Sequence, residues 1–188
     1  MGFHAILLQY LTNIFFIATM IALIRANCEF LRQGIELLEK HQNSTYVNSN
    51  PSTFGSSIGA HMRHVLDHYG SFLKGVAGGI VDYDDRVRDT VVEKDVSAAI
   101  DRIKEISAEL TELEQMADLP VGVMVSASAT DEEEKSNSSF GRELQFLVSH
   151  TVHHYALIAI ASRMQGIAPD STFGVAPSTL KYLQATAS

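Results

Sequence analysis

Apolar residues in this chain recur at steps of three and four over long stretches. From Ile17 the series Ile17, Ile21, Ile24, Cys28, Leu31, Ile35 and Leu38 follows one face of an α-helix that closes near His41. A second series, Val96, Ala99, Ile103, Ile106, Leu110 and Leu113, keeps the heptad-like spacing of a long antiparallel bundle helix within about 91–117. Stripes of this kind must be covered by other helices, so the pattern predicts an all-α chain. Residues 42–56 (QNSTYVNSNPSTFGS) read as a loop, and a helix follows over about 57–75. The glycines and aspartates of 75–88 predict a connection. After Pro120, VGVMVSAS is short, apolar and β-branched enough for a strand, whereas SATDEEEKSNSS reads as a solvated acidic loop rather than a metal site. Ser139 is placed to cap a further helix that runs to about Gln165, and Gly166 can stop it. The tail, with Pro169, Gly174 and Pro177, is expected to pack as an ordered loop. The sum is a four-helix bundle with long connections.

Size and charge narrow the function classes. A length of 188 residues suits one domain, and 46% apolar against 19% charged residues excludes a disordered chain. A net charge of −8, without a basic stripe, argues against gripping nucleic acid. The single cysteine, Cys28, excludes an internal disulfide and a Cys-based zinc site, and fits a reducing compartment. No Asp, Glu, Lys or Arg precedes Arg25. The twenty residues Ala5–Ile24 would reach roughly 30 Å as a helix, the thickness of a bilayer core. Residues 1–19 are therefore expected to be a hydrophobic extension, either a membrane anchor or an overlong start before Met20, with the bundle in 20–188. Contact with a membrane is expected only through residues 1–24, and the bundle itself is expected in the cytoplasm.

Six of the eight histidines fall in two short windows, HMRHVLDH (His61, His64, His68) and HTVHH (His150, His153, His154). Both windows lie on predicted helices. His150 and His154 are i and i+4, about 40° apart around the axis, so their imidazoles can share one ion. His61, His64 and His68 occupy one sector about 60° wide, and one of them can complete a three-His set. A lone H-x-x-x-H arises by chance on many helices, and a second cluster on another helix strengthens the signal. His153, about 100° from His154, is expected at the flank. Three neutral imidazoles suit one divalent ion, Zn²⁺ or Ni²⁺ first, with Fe²⁺ or Mn²⁺ also admissible. There is no H-E-x-x-H, no G-x-S-x-G and no phosphate-binding glycine loop.

SIGAHMRHVLDHYGSFL and RELQFLVSHTVHHYALIAI, with VDYDDRVRDTVVE between them and FGVAPSTLKYL at the end, resemble the DinB-like superfamily, named for DNA-damage-inducible proteins. The resemblance runs from about Met20 to the C-terminus. It implies a four-helix bundle, often a homodimer, with a three-His divalent metal site facing an open pocket. The family's helix-2 ligand falls on His64 (His64-Val-Leu-Asp67), and its H-x-x-x-H ligands fall on His150 and His154. His61 and His68 remain alternatives to His64, and His61, Asp67, His68 and His153 are placed to support the ligands from behind. Asp67 is equally suited to a surface turn. Where the family continues with a His-Arg-Gly-Gln-like ending, this chain has Tyr155-Ala156-Leu157 after His154, so no substrate contact carries over from there. Relatives include bacillithiol and mycothiol S-transferases, a mycothiol-dependent isomerase and hydrolases. The implied function is transfer of a small-molecule thiol. A metal-dependent hydrolase is the alternative within enzymes, and a non-catalytic, metal-stabilised dimeric bundle is the alternative outside them.

Overall fold

The computed structural model describes residues 3–49, 55–126, 128 and 135–186, with side chains from residue 17 onward. Four long helices form the bundle: α1 (Phe3–Leu38), α3 (Ile58–Val76), α5 (Val96–Glu112) and α6 (Phe140–Met164). Each packs on two others, α1 on α5 and α6, and α3 on α5 and α6. The expected all-α fold is thus present, and its layout sets α3 beside α6. The apolar stripes become the core: Ile24, Leu31 and Leu38 from α1, Met62, Val65 and Phe72 from α3, Ile103, Ile106 and Leu110 from α5, and Leu144, Leu147 and Ile158 from α6 are buried. Burying each such side chain contributes about 1.5–3 kcal/mol.

One polar network ties three helices inside this core. Asn27 of α1 donates to the Leu144 carbonyl at 3.1 Å, and its own oxygen accepts from the Tyr69 hydroxyl at 2.8 Å. Thr151 of α6 then donates to the Tyr69 oxygen at 3.2 Å. Because buried polar groups need specific partners, the network fixes the axial register of α1, α3 and α6.

Several connections differ from the sequence expectation, each for a local reason. The predicted helix over 91–117 is broken into α4 (Thr90–Lys94) and α5 at Asp95, whose backbone is extended and whose carboxylate caps the Ala98 amide at 2.9 Å. Asp competes with helical hydrogen bonding in this way, and Asn43 reinforces the break by accepting from the Val96 amide. Asn43 belongs to a short helix α2 (Asn43–Tyr46) inside the predicted loop, held by the Tyr46 hydroxyl donating to the Val92 carbonyl.

The expected strand is β2 (Pro120–Met124), paired in parallel with β1 (Ile80–Asp82) and antiparallel with β3 (Lys135–Ser139). The third strand lies in the segment read as loop. Its sequence, KSNSS, is exposed or half-buried throughout, so it carries no apolar alternation and is held as a strand by backbone pairing. Ser139 caps α6 as expected, accepting from the Arg142 amide, and the chain leaves the helix at Gly166 with φ 78°. In the tail, Phe173 stacks on Tyr155 with ring centroids 4.4 Å apart. Beyond it the chain forms a further helix, α7 (Pro177–Thr186), with no buried residue, where a loop was expected. Gly174 has φ 72° and lies against the Tyr155 backbone, so a side chain there would be both strained and obstructed.

Helix α1 continues without a break through Met20, which is buried in the core. The side chains of residues 1–16, on which the anchor expectation depends, lie outside the described residues. Among the described residues no helix is long and apolar enough to cross a membrane.

Candidate metal centre

Helix α3 starts at Ser57, whose hydroxyl accepts from the Ala60 amide at 3.0 Å. From that start, Met62, Val65, Leu66, Tyr69 and Phe72 face the core, and the neighbouring sector carries His61, His64 and His68. On α6 the same logic buries Leu147, Thr151, Tyr155 and Ile158 and places His150 and His154 beside them. Packing of α3 on α6 then brings the two windows together.

One ligand atom from each of His64, His150 and His154 lies within 4.8 Å of the other two. All three rings are half-buried. His64 Nε2 and His150 Nε2 stand 3.3 Å apart, and the rings of His64 and His154 have centroids 4.7 Å apart. Metal–nitrogen bonds of about 2.0–2.1 Å in a tetrahedral array place neighbouring nitrogens about 3.3 Å from each other. The donor set is therefore compatible with a divalent ion in chemistry, and the His64–His150 pair has the spacing such an ion needs. Among the described residues, His150 Nδ1 is buried with no hydrogen-bond partner.

The imidazoles are held neutral. Burial, followed by the neighbouring histidines, lowers the pKa of His64 to about 3, of His150 to about 2 and of His154 to about 4. At neutral pH each ring therefore carries a lone pair in place of a second proton, which is the form that binds a cation.

The other histidines take different places. His61 Nδ1 lies 3.1 Å from His154 Nδ1. His68 is buried, donates from Nδ1 to the His64 carbonyl at 2.8 Å and lies against the His150 ring at 4.0 Å between centroids. His153 is exposed, its ring 5.0 Å from that of His154. Asp67 is taken up by Arg63, which pairs with it at 2.9 Å and with Glu93 at 2.8 Å. Among the described residues no imidazole hydrogen-bonds to Asp67. Its side chain is only 7% exposed, so the free surface turn considered for it is not its setting either.

Residues that sequence reading did not single out as site residues also border the centre. Tyr83 stacks on His68 at 5.4 Å between centroids and donates to the buried Glu143 carboxylate at 2.8 Å, which also accepts from Ser138. Arg86 approaches the other nitrogen of His64, with Nη1 3.1 Å from Nδ1. Its loop is fixed at both ends of a short turn. Asp82 accepts from the amides of Asp84 and Asp85, and Asp84 accepts from the amide and hydroxyl of Ser126. Tyr83 and Arg86 sit in the glycine- and aspartate-rich connection, where no period marks which side chains turn inward.

Tyr83→Phe is expected to destabilise the protein by about 2 kcal/mol, because Glu143 keeps its burial and loses a donor. Urea denaturation midpoints would measure this. Arg25→Ala, which removes an exposed pair with Glu114, should stay within about 0.5 kcal/mol of the parent.

A family model described as the DinB superfamily matches residues 35–158, a span that holds all six clustered histidines. Among characterised proteins, the chain is similar to "FK506-binding protein 5" of Rhizopus delemar (strain RA 99-880), 36% identical over 107 residues. That match takes in 56% of this chain and 28% of the relative, so the chain spans little more than a quarter of that protein's length. With two thirds of the chain under the family model and its histidines gathered between α3 and α6, this protein belongs to the DinB superfamily.

Proposed function

We propose that His64, His150 and His154 hold one divalent ion, Zn²⁺ or Ni²⁺, and that the protein transfers a low-molecular-weight thiol to an electrophile. The observation that carries this reading is the gathering of three imidazoles, from two helices distant in sequence, with one ligand atom of each within 4.8 Å of the other two. When bound there, the ion would lower the pKa of a thiol at the remaining position and supply a thiolate near neutral pH. As neutral ligands, the three imidazoles would leave the ion its full positive charge. The three rings are half-buried rather than sealed in the core, which supports access by a small molecule. His68 and Tyr83 pack behind His150 and His64 and hold the rings in orientation.

The test is transfer of bacillithiol, mycothiol, glutathione and cysteine to monochlorobimane by metal-loaded protein. Turnover is expected with at least one of the first two thiols, and loss to background in His154→Ala or after chelation. Metal-dependent hydrolysis of esters or amides without thiol transfer would reassign the same ligands to water activation. Neither reaction above the His154→Ala control would leave a metal-stabilised bundle without catalysis.

A further inference from the structure

Arg86 occupies the face of His64 opposite His150. A guanidinium has only donors, so Nδ1 of His64 is the acceptor of the 3.1 Å contact and the ring proton sits on Nε2. That proton also has a receiver, His150 Nε2 at 3.3 Å. His150 must then carry its own proton on Nδ1, the buried atom without a partner. The three side chains thus form one consistent line of donors running from Arg86 through His64 to His150. A neutral imidazole has one lone pair, and in this arrangement His64 gives it to Arg86.

Coordination through Nε2 of His64 needs the opposite tautomer, with the proton on Nδ1, where it would point directly at the Arg86 N–H. Coordination through Nδ1 would need the position that Arg86 already fills. Neither nitrogen can serve a cation while the contact stands. Among the described residues Arg86 Nε is buried without a hydrogen-bond partner and Arg86 makes no ion pair, so the contact with His64 is not locked by a carboxylate.

We propose that Arg86 is a built-in competitor for His64, and that loading the centre requires the guanidinium to withdraw. The His64 proton then passes from Nε2 to Nδ1 by exchange with water, with no net gain or loss on the ring. Arg86 thereby sets metal affinity without being a ligand. This inference rests on the three-His reading above, and the experiment separates the two.

Zn²⁺ would be titrated into the metal-free full-length chain against a chromophoric chelator, for the parent, Arg86→Met and Arg86→Ala. Both variants are expected to bind roughly tenfold more tightly, the scale of one hydrogen bond from a charged donor. Long-range ¹H–¹⁵N spectra of the metal-free parent should show His64 protonated on Nε2 and bare on Nδ1, with a change of tautomer population in Arg86→Met. Equal or weaker Zn²⁺ binding in both variants, with the parent still binding, overturns the role of Arg86 and leaves the metal centre standing. A parent His64 protonated on Nδ1 overturns it as well. Absence of Zn²⁺ binding in all three chains overturns both readings.

Discussion

Replacing His150 by alanine is expected to weaken Zn²⁺ binding well beyond the roughly 10–100-fold that follows loss of an outer hydrogen-bond partner. His64→Ala and His154→Ala should do the same, since two imidazoles cannot complete the set. Alanine is the strongest helix former, and all three positions lie inside α3 or α6, so the variants should retain their helical content. His153→Ala is the internal control. Its ring is exposed and flanks the group, and affinity should stay within about twofold, a fraction of 1.4 kcal/mol. Equilibrium competition with a chromophoric chelator, with circular dichroism on each variant, would measure both effects. Full occupancy in His150→Ala would refute the ligand set. Loss of binding in His61→Ala or His68→Ala, with retention in His64→Ala, would move the α3 ligand along the helix.

The metal-free protein is also expected to lose stability steeply as the pH falls from 7 to 5. An unfolded histidine titrates near about 6.5. In the folded chain His64, His150 and His154 titrate at about 3, 2 and 4, chiefly through burial. Below about pH 6.5 the unfolded state therefore binds more protons than the folded state, and stability falls as the pH drops toward the folded values. His41, His61 and His68 are shifted in the same direction, also by burial, and add to the slope.

The three central rings are half-exposed, so solvent screening reduces the full linkage at pH 5 to about 1 kcal/mol each. Together they would lower Tm by roughly 6–12 °C in a chain of this size. Calorimetry on chelator-treated protein at the two pH values measures the shift, and Zn²⁺ at pH 7 should raise Tm by stabilising only the folded state. A variant with glutamine at 64, 150 and 154 should show a flatter profile. Equal Tm at pH 5 and pH 7 in the parent would show that the imidazoles are not held neutral.

Much of the bundle was legible because helical periodicity is a property of neighbouring residues. The stripe from Ile17 to Leu38 marks α1, and Ser139 and Gly166 mark the limits of α6, because caps and left-handed turns are short-range chemistry. The break at Asp95 was less visible. An aspartate inside an apolar series is ordinary on a helix surface, and here it becomes an interruption because Asn43, fifty-two positions away, supports the extended backbone. Strand β3 left no trace in KSNSS because its stability comes from the ladder with β2 rather than from its side chains.

Two histidine windows at helical spacing are enough to place each cluster on one face of its own helix, since 100° per residue is fixed by the backbone. Nothing in that spacing decides which of the three α3 imidazoles gathers with both His150 and His154, or that Arg86 turns back onto His64. Those contacts join residues 86 and 22 positions apart. They depend on the register of α3 against α6, held by the Asn27–Tyr69–Thr151 network, and on the loop pinned by Asp82, Asp84 and Ser126. Backbone geometry repeats locally and can be counted along a chain, whereas register is a balance of packing among segments far apart in sequence and exists only once they have met.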